Sequence, residues 1–331
     1  MTQQERRLNL ALRRLRPDIR RAFEQAISDA AISIDRRLLA ELIEAGRVTE
    51  AVELLRVDQS LFSPLRDAVR DAYRAGGLLV EDIAPRGMGG VFRFDGNHAG
   101  ALAWVQQYSA SLVQGITAEG IETARRVIAE GIEEGLSSRV IARSLTGKRV
   151  GRRNVGGFLG LTAQQADSII GGRAKLASGN PALMREYLKL KLRDARFDKR
   201  VAKAAREGKP ITGRDLDAIS EAHRAKALTY RGNVIARHES ANAIAAGQDE
   251  AYRQIAERPD VEKVTVRWQH NLSEHPRIEH QMMDGTVIEQ GETFDFPDGV
   301  RMQYPHDVSA PPEHTIGCRC VAIYRVRLKR G

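Results

Sequence analysis

Past Pro259 the apolar residues of this chain change their spacing from about 3.6 residues to 2, and that change limits what the chain can fold into. Upstream, Leu8, Leu12, Leu15, Ile19, Phe23 and Ile27 recur every three or four positions with arginines between them, which predicts an amphipathic helix over 1–31. Downstream, Val264, Val266 and Trp268 alternate with Lys263, Thr265, Arg267 and Gln269, the pattern of a half-buried strand. Asp284-Gly285 is a turn signal. Phe294 and Phe296, then Pro297-Asp298-Gly299, then Val300, Met302 and Tyr304 read as a hairpin. Cys318, Cys320, Ala322, Tyr324, Val326 and Leu328 alternate with Arg319, Val321, Ile323, Arg325 and Arg327 as a last strand. The expected fold class is therefore mainly α, an extended helical body followed by a small C-terminal α+β module with a short antiparallel sheet. Expected domains are an N-terminal helical region at 1–84, a helical body at 85–257 and the small module at 258–331.

Within the N-terminal region, further helical patterns are expected at 37–45, 48–55 and 60–75, the last stopped by Gly76-Gly77. Glycines then surround a short expected strand, Val91–Phe94, and Asp95-Gly96 signals a turn. Three helices are expected between Ala99 and Ser144, the second opened by Thr117 and the third by Ser137-Ser138. Thr162 with Gln165 and Thr212 with Asp215 read as capping boxes, and Asn180-Pro181 as a cap followed by proline at the first helical position. The pattern from Thr212 to Ala256 is helical, with a break expected near Tyr230–Gly232. His238, on the apolar face of that segment, reads as a packed histidine.

The formal charge of +9 permits contact with nucleic acid or an acidic protein surface. Its densest local expression is Arg139, Arg143, Lys148, Arg149, Arg152 and Arg153, six basic residues with no acidic one between Gly135 and Ala166. The glycines there predict a flexible basic loop at about 145–160, suited to touching DNA phosphates or an acidic partner, or simply solvated. Their spacing does not make a phosphate-cradling motif. No run of about 18 apolar residues is present, so no bilayer span and no membrane partner are expected. The arginine-rich N-terminus does not read as a secretory signal. Two cysteines make no disulfide scaffold, which suits synthesis in a reducing cytoplasm.

The tail concentrates chemistry. His270, His275, His280, His306 and His314, five of eight histidines, and both cysteines fall in or beside it. On one strand face the Cα atoms of Cys318 and Cys320 would be about 6.7 Å apart, at the outer limit for a disulfide. Two small apolar core residues is one reading. A zinc site completed by His280 and His314 is the other, although Cys-x-Cys is tighter than the usual spacing and no second pair supports it. No cofactor is otherwise expected. A metal-dependent nuclease using His280, Asp284 and His314, with Arg277 and Arg319 supplying charge, lacks a motif that fixes its geometry, and no enzyme is expected.

The order Arg237-x-Glu239, Trp268, Arg277, His280, Asp284-Gly285, Phe294, Pro311-Pro312-x-His314 and Cys318-Arg319-Cys320 resembles the tailed-phage minor head protein family, the phage Mu F-like head-morphogenesis group. The ending Pro-Pro-x-His-x₃-Cys-Arg-Cys is its most specific part, and the likeness covers roughly the last hundred residues. Two departures stand out: His238 where the family often carries threonine, and Thr315-Ile316-Gly317 where Pro-Asn is more usual. The resemblance implies a virion protein made in the host cytoplasm, present in few copies, binding the portal or major capsid protein and assisting DNA packaging or delivery. A DNA-binding virion protein contacting the phage genome is the alternative. Some relatives carry an added toxin or nuclease domain after the motif, for which a chain ending at Gly331 leaves no expected room.

Overall fold

The computed structural model describes residues 3–85, 87–271 and 276–329; His275 lies outside the described residues. In chain order the helices and strands are α1 (Gln3–Ser33), α2 (Arg36–Glu44), α3 (Val48–Leu54), α4 (Ser63–Glu81), α5 (Ala99–Glu133), α6 (Ser138–Thr146), β1 (Lys148–Val150), β2 (Arg153–Val155), α7 (Ala163–Ala177), α8 (Pro181–Tyr187), α9 (Asp198–Glu207), α10 (Gly213–Ala256), β3 (Val261–Gln269), α11 (Ile278–Met282), β4 (Val287–Glu289), β5 (Phe294–Asp295), β6 (Arg301–Met302), α12 (Pro312–Thr315) and β7 (Val321–Leu328). The protein is mainly α with a small C-terminal antiparallel three-stranded sheet, as the change of period predicts. Among the described residues no helix is long and apolar enough to cross a membrane.

The chain forms two compact units, each assembled from separated stretches. One combines Met1–Arg20, Leu65–Ser111 and Val234–Gly331; the other combines Arg21–Pro64 and Leu112–Asn233. The 258–331 module falls wholly within the first.

In that first unit, β3 is central in the sheet, paired antiparallel to β4 and β7, with Val266 opposite Tyr324 and Trp268 opposite Ala322. Its inward row, Val264, Val266 and Trp268, packs with Phe294, Phe296, Met302, Cys320 and Tyr324, and with Tyr252 and Ile255 of α10. Full burial of side chains of this size stabilises by roughly 1.5–3 kcal/mol each. β5 and β6 form the expected hairpin, closed by the Phe296 N–H on the Val300 carbonyl at 2.9 Å. Two expectations are corrected here. Gly76-Gly77 does not stop a helix but lies inside α4, because α10 passes so close that a Cβ at Gly76 would collide with the Ile244 carbonyl, and one at Gly247 with the Tyr73 carbonyl. Val91–Phe94 is not a strand: Phe92 is buried in the sheet's core, and the Phe94 N–H is taken by the Glu81 carboxylate at 2.7 Å.

In the second unit the capping signals work locally. Thr162 and Gln165 close a reciprocal capping box on α7, and Asn180 caps α8 at 2.8 Å. Two expected helix boundaries are absent. Thr117 lies within the single helix α5, its hydroxyl donating back to the Val113 carbonyl at 2.9 Å instead of capping. α10 runs unbroken through Tyr230–Gly232, since a mid-helix glycine loses only about 1 kcal/mol against alanine. Asp215, read as a capping-box member, pairs with Arg200. The expected flexible loop is instead built. β1 and β2 pair from Lys148↔Val155 to Val150↔Arg153, with Gly151 at φ +61° in the turn. Gly147, at φ +76°, packs against the Val155 carbonyl where a Cβ would not fit. Two buried arginines of α10 hold the following segment: Arg224 donates to the Gly156 carbonyl and Arg231 to that of Gly160 at 2.8 Å. Burial pushes the Arg224 guanidinium down to about 10.

Candidate functional site

Two places collect the residues singled out in the sequence: the C-terminal module of the first unit, and the basic hairpin of the second.

The module is organised on Trp268, which is fully buried on β3. Its ring meets His280 edge-on with centroids 5.3 Å apart, and Phe294 and Phe296 at 5.2 Å each. His280 arrives on the one-turn helix α11, whose start is fixed by Arg277, the guanidinium donating to the Ile316 carbonyl at 2.6 Å. Asp284 and Gly285 secure its other end. The Asp284 carboxylate accepts the His270 N–H at 2.8 Å, and Gly285, at φ +83°, donates its N–H to the Trp268 carbonyl at 2.9 Å. Pro312 opens α12, which carries His314.

These elements bring His280 between two groups. Its Nδ1 lies 3.5 Å from both the Cys318 Sγ and the Cys320 Sγ. Its Nε2 lies 3.3 Å from the His314 Nδ1, and the His314 Nε2 lies 2.8 Å from the Asp298 Oδ2. The expected set of two cysteines and two histidines therefore assembles only in part. His280, Cys318 and Cys320 place their ligand atoms within 4.8 Å of one another, whereas His314 stands behind His280 as its hydrogen-bond partner. The cysteines also differ from expectation in lying just before β7 rather than within it, since the ladder begins at Val321. They are free thiols. The hydrogen bond between them, with the nearby His306 charge and the His280 contact, draws Cys318 toward thiolate against its burial, while the same bond and burial keep Cys320 protonated.

The two sulfurs form part of the wall of a cavity of about 730 Å³, also lined by Arg16, Arg237, His238, His306 and Arg319. Burial, then the charges of Arg237, Arg13 and Arg319, holds the Arg16 guanidinium below its ordinary value. His306 has a left-handed backbone, φ +72°, uncommon for a residue with a side chain. His238 is packed as expected, 3.0 Å from the Asn242 amide, and burial followed by the His306 charge pushes it down to about 4. Glu239 faces away from this cavity: it is buried and accepts the Tyr108 hydroxyl at 2.5 Å. Burial raises it to about 7.

Asp298, Arg16 and His306 carry weight here that the sequence did not signal. Asp298 reads only as a turn residue, Arg16 is one of many arginines on α1, and no periodicity joins His306 to Cys318.

In the second unit, Lys148, Arg149, Arg152 and Arg153 are all exposed on the hairpin, and Arg139 and Arg143 are exposed on α6. Arg143 pairs with Glu221 at 3.4 Å; among the described residues none of the other five makes an ion pair.

Compared with family models, curated proteins and solved structures, the chain matches none.

Proposed function

We propose that this protein is a minor component of a tailed-phage head, acting in head morphogenesis by binding the portal or the capsid interior, without catalysis of its own. One observation carries the reading. Residues whose order suggested the family, spread from Arg237 to Cys320, include a core set (Trp268, Arg277, His280, Asp284, Gly285, Phe294, His314, Cys318 and Cys320) that closes on one indole and one imidazole. A motif legible only as an order of residues thus corresponds to a single physical module, as expected if the family likeness reflects a shared fold. Arg277, Asp284 and Gly285 are spent on backbone contacts, which suits a structural clasp.

The test is co-expression with the portal protein of the phage that encodes the chain. The two are expected to co-purify, and truncation of the chain before Pro259 is expected to abolish or weaken that association. Failure of the full chain to associate with both the portal and the major capsid protein would remove the reading.

A second reading, contact with the phage genome, is favoured by the exposed basic hairpin. It places cations that make no ion pair among the described residues on a short paired ribbon, an arrangement suited to phosphate contact without sequence preference.

A further inference from the structure

We propose that Cys318, Cys320 and His280 hold one zinc ion through three protein ligands, with the fourth position open to the arginine-rimmed cavity. The inference rests on the geometry of the module and is independent of whether the protein assembles into phage heads.

The placement of the rings fixes which atom of His280 faces the sulfurs. The His314 Nε2 lies 2.8 Å from the Asp298 Oδ2, and the His314 Nδ1 lies 3.3 Å from the His280 Nε2. The His280 Nε2 is thus turned to His314, and its Nδ1 is directed at both sulfurs, 3.5 Å from each. Three soft or borderline donor atoms, two sulfurs and an imidazole nitrogen, converge within 4.8 Å of one another, a set that suits zinc. The outer chain His280–His314–Asp298 supplies what ligating histidines ordinarily have, a partner for the second ring nitrogen that fixes tautomer and orientation.

The distances match as well. Zinc bonds of about 2.3 Å to sulfur and about 2.0–2.1 Å to nitrogen, set at a tetrahedral angle, separate the two ligand atoms by about 3.5 Å. Both nitrogen–sulfur separations here are 3.5 Å. Two of the six edges of a zinc tetrahedron are thus already at length, and the three ligand atoms lie within 4.8 Å of one another.

The trio has an open side. Cys318 and Cys320 line the cavity and His280 does not, so the side away from the imidazole faces the space bounded by Arg16, Arg237 and Arg319. His314 is held behind His280 by Asp298 and does not reach the sulfurs, so a fourth ligand must come from the cavity as water or a small anion. Three protein ligands with one exchangeable position is the arrangement of zinc sites that bind a further molecule, rather than of closed structural sites.

The test uses tag-free, full-length protein supplied with zinc alone. About one equivalent of zinc per chain is expected after removal of loosely bound metal, and X-ray absorption should give a first shell of two sulfurs at about 2.3 Å with nitrogen or oxygen at about 2.0–2.1 Å. Cobalt substitution should give thiolate-to-cobalt charge transfer, with visible bands that change when a small anion such as azide is added. Cys318→Ser and Cys320→Ser should each lose the metal, and His314→Gln should weaken binding by 10–100-fold while retaining the sulfur signature. Less than a tenth of an equivalent of zinc, a first shell without sulfur, or cobalt bands indifferent to every small anion tried would overturn the proposal as stated. The absorption measurement needs no variant, so a substitution that prevents folding leaves the decision to the unmodified chain.

Discussion

Glu239 is a buried carboxyl, set on α10 against the Tyr108 hydroxyl, and Asp249 is its counterpart two turns and more along the same helix, held by Tyr324 at 3.0 Å and Gln290 at 3.3 Å. Burial raises them to about 7 and about 6, against ordinary unfolded values near 4. A group whose folded pKa is raised binds its proton more tightly in the folded chain, so the stabilisation is complete below the unfolded value and is lost as pH rises through the folded one. The first unit should therefore weaken as pH rises from about 4 to about 7, by on the order of 4 kcal/mol at most from Glu239 and 3 kcal/mol from Asp249, at about 1.4 kcal/mol per pKa unit. Thermal unfolding across that range is expected to show a falling midpoint, and Glu239→Gln combined with Asp249→Asn to flatten it; an unchanged slope in the double variant would contradict this assignment. At this scale the site is legible in part. Trp268, His280 and the two cysteines were legible because their residue types are rare in the chain and crowded together. Asp298 and Arg16 were not, because aspartate in a turn and arginine on an amphipathic helix are common for reasons unrelated to any site.

The basic hairpin is the element whose behaviour departs most from its sequence. Glycine-rich composition suggested flexibility, yet Gly147 and Gly151 occupy left-handed positions that a paired ribbon requires, and Arg224 and Arg231 clamp the chain that follows. The paired ribbon presents Lys148, Arg149, Arg152 and Arg153 together. If they meet duplex DNA, the logarithm of affinity should fall with the logarithm of salt by about 0.9 per phosphate neutralised, and replacing Arg149, Arg152 and Arg153 by alanine should reduce the slope by about 2 to 3. Fluorescence anisotropy over a salt series checks this; absent or salt-insensitive binding would remove genome contact. The helix boundaries teach the same lesson in reverse. Capping signals at Thr162 and Asn180 were reliable because the side chains act within three residues of themselves. Gly76-Gly77 misled because the close approach of α10 outweighs a local preference of about 1 kcal/mol, whereas Thr117 and Gly232 misled because a back-bonded threonine and a single glycine are both tolerated inside a long helix.

At the scale of the whole molecule, the period change at Pro259 was enough to separate helical body from sheet module, since both periodicities are written directly in the apolar residues. The discontinuous make-up of the two units was not legible, because nothing local in 1–20 or 65–111 announces that these stretches join 234–331 in one compact unit. The functional account depends on that C-terminal module belonging to a particle. If the proposal holds, a phage encodes the chain, and quantitative mass spectrometry of that phage's purified procapsids and virions tests this most directly. The account predicts the protein in the particles at a few copies, far below the major capsid protein; its absence from both would contradict the assignment to the phage head.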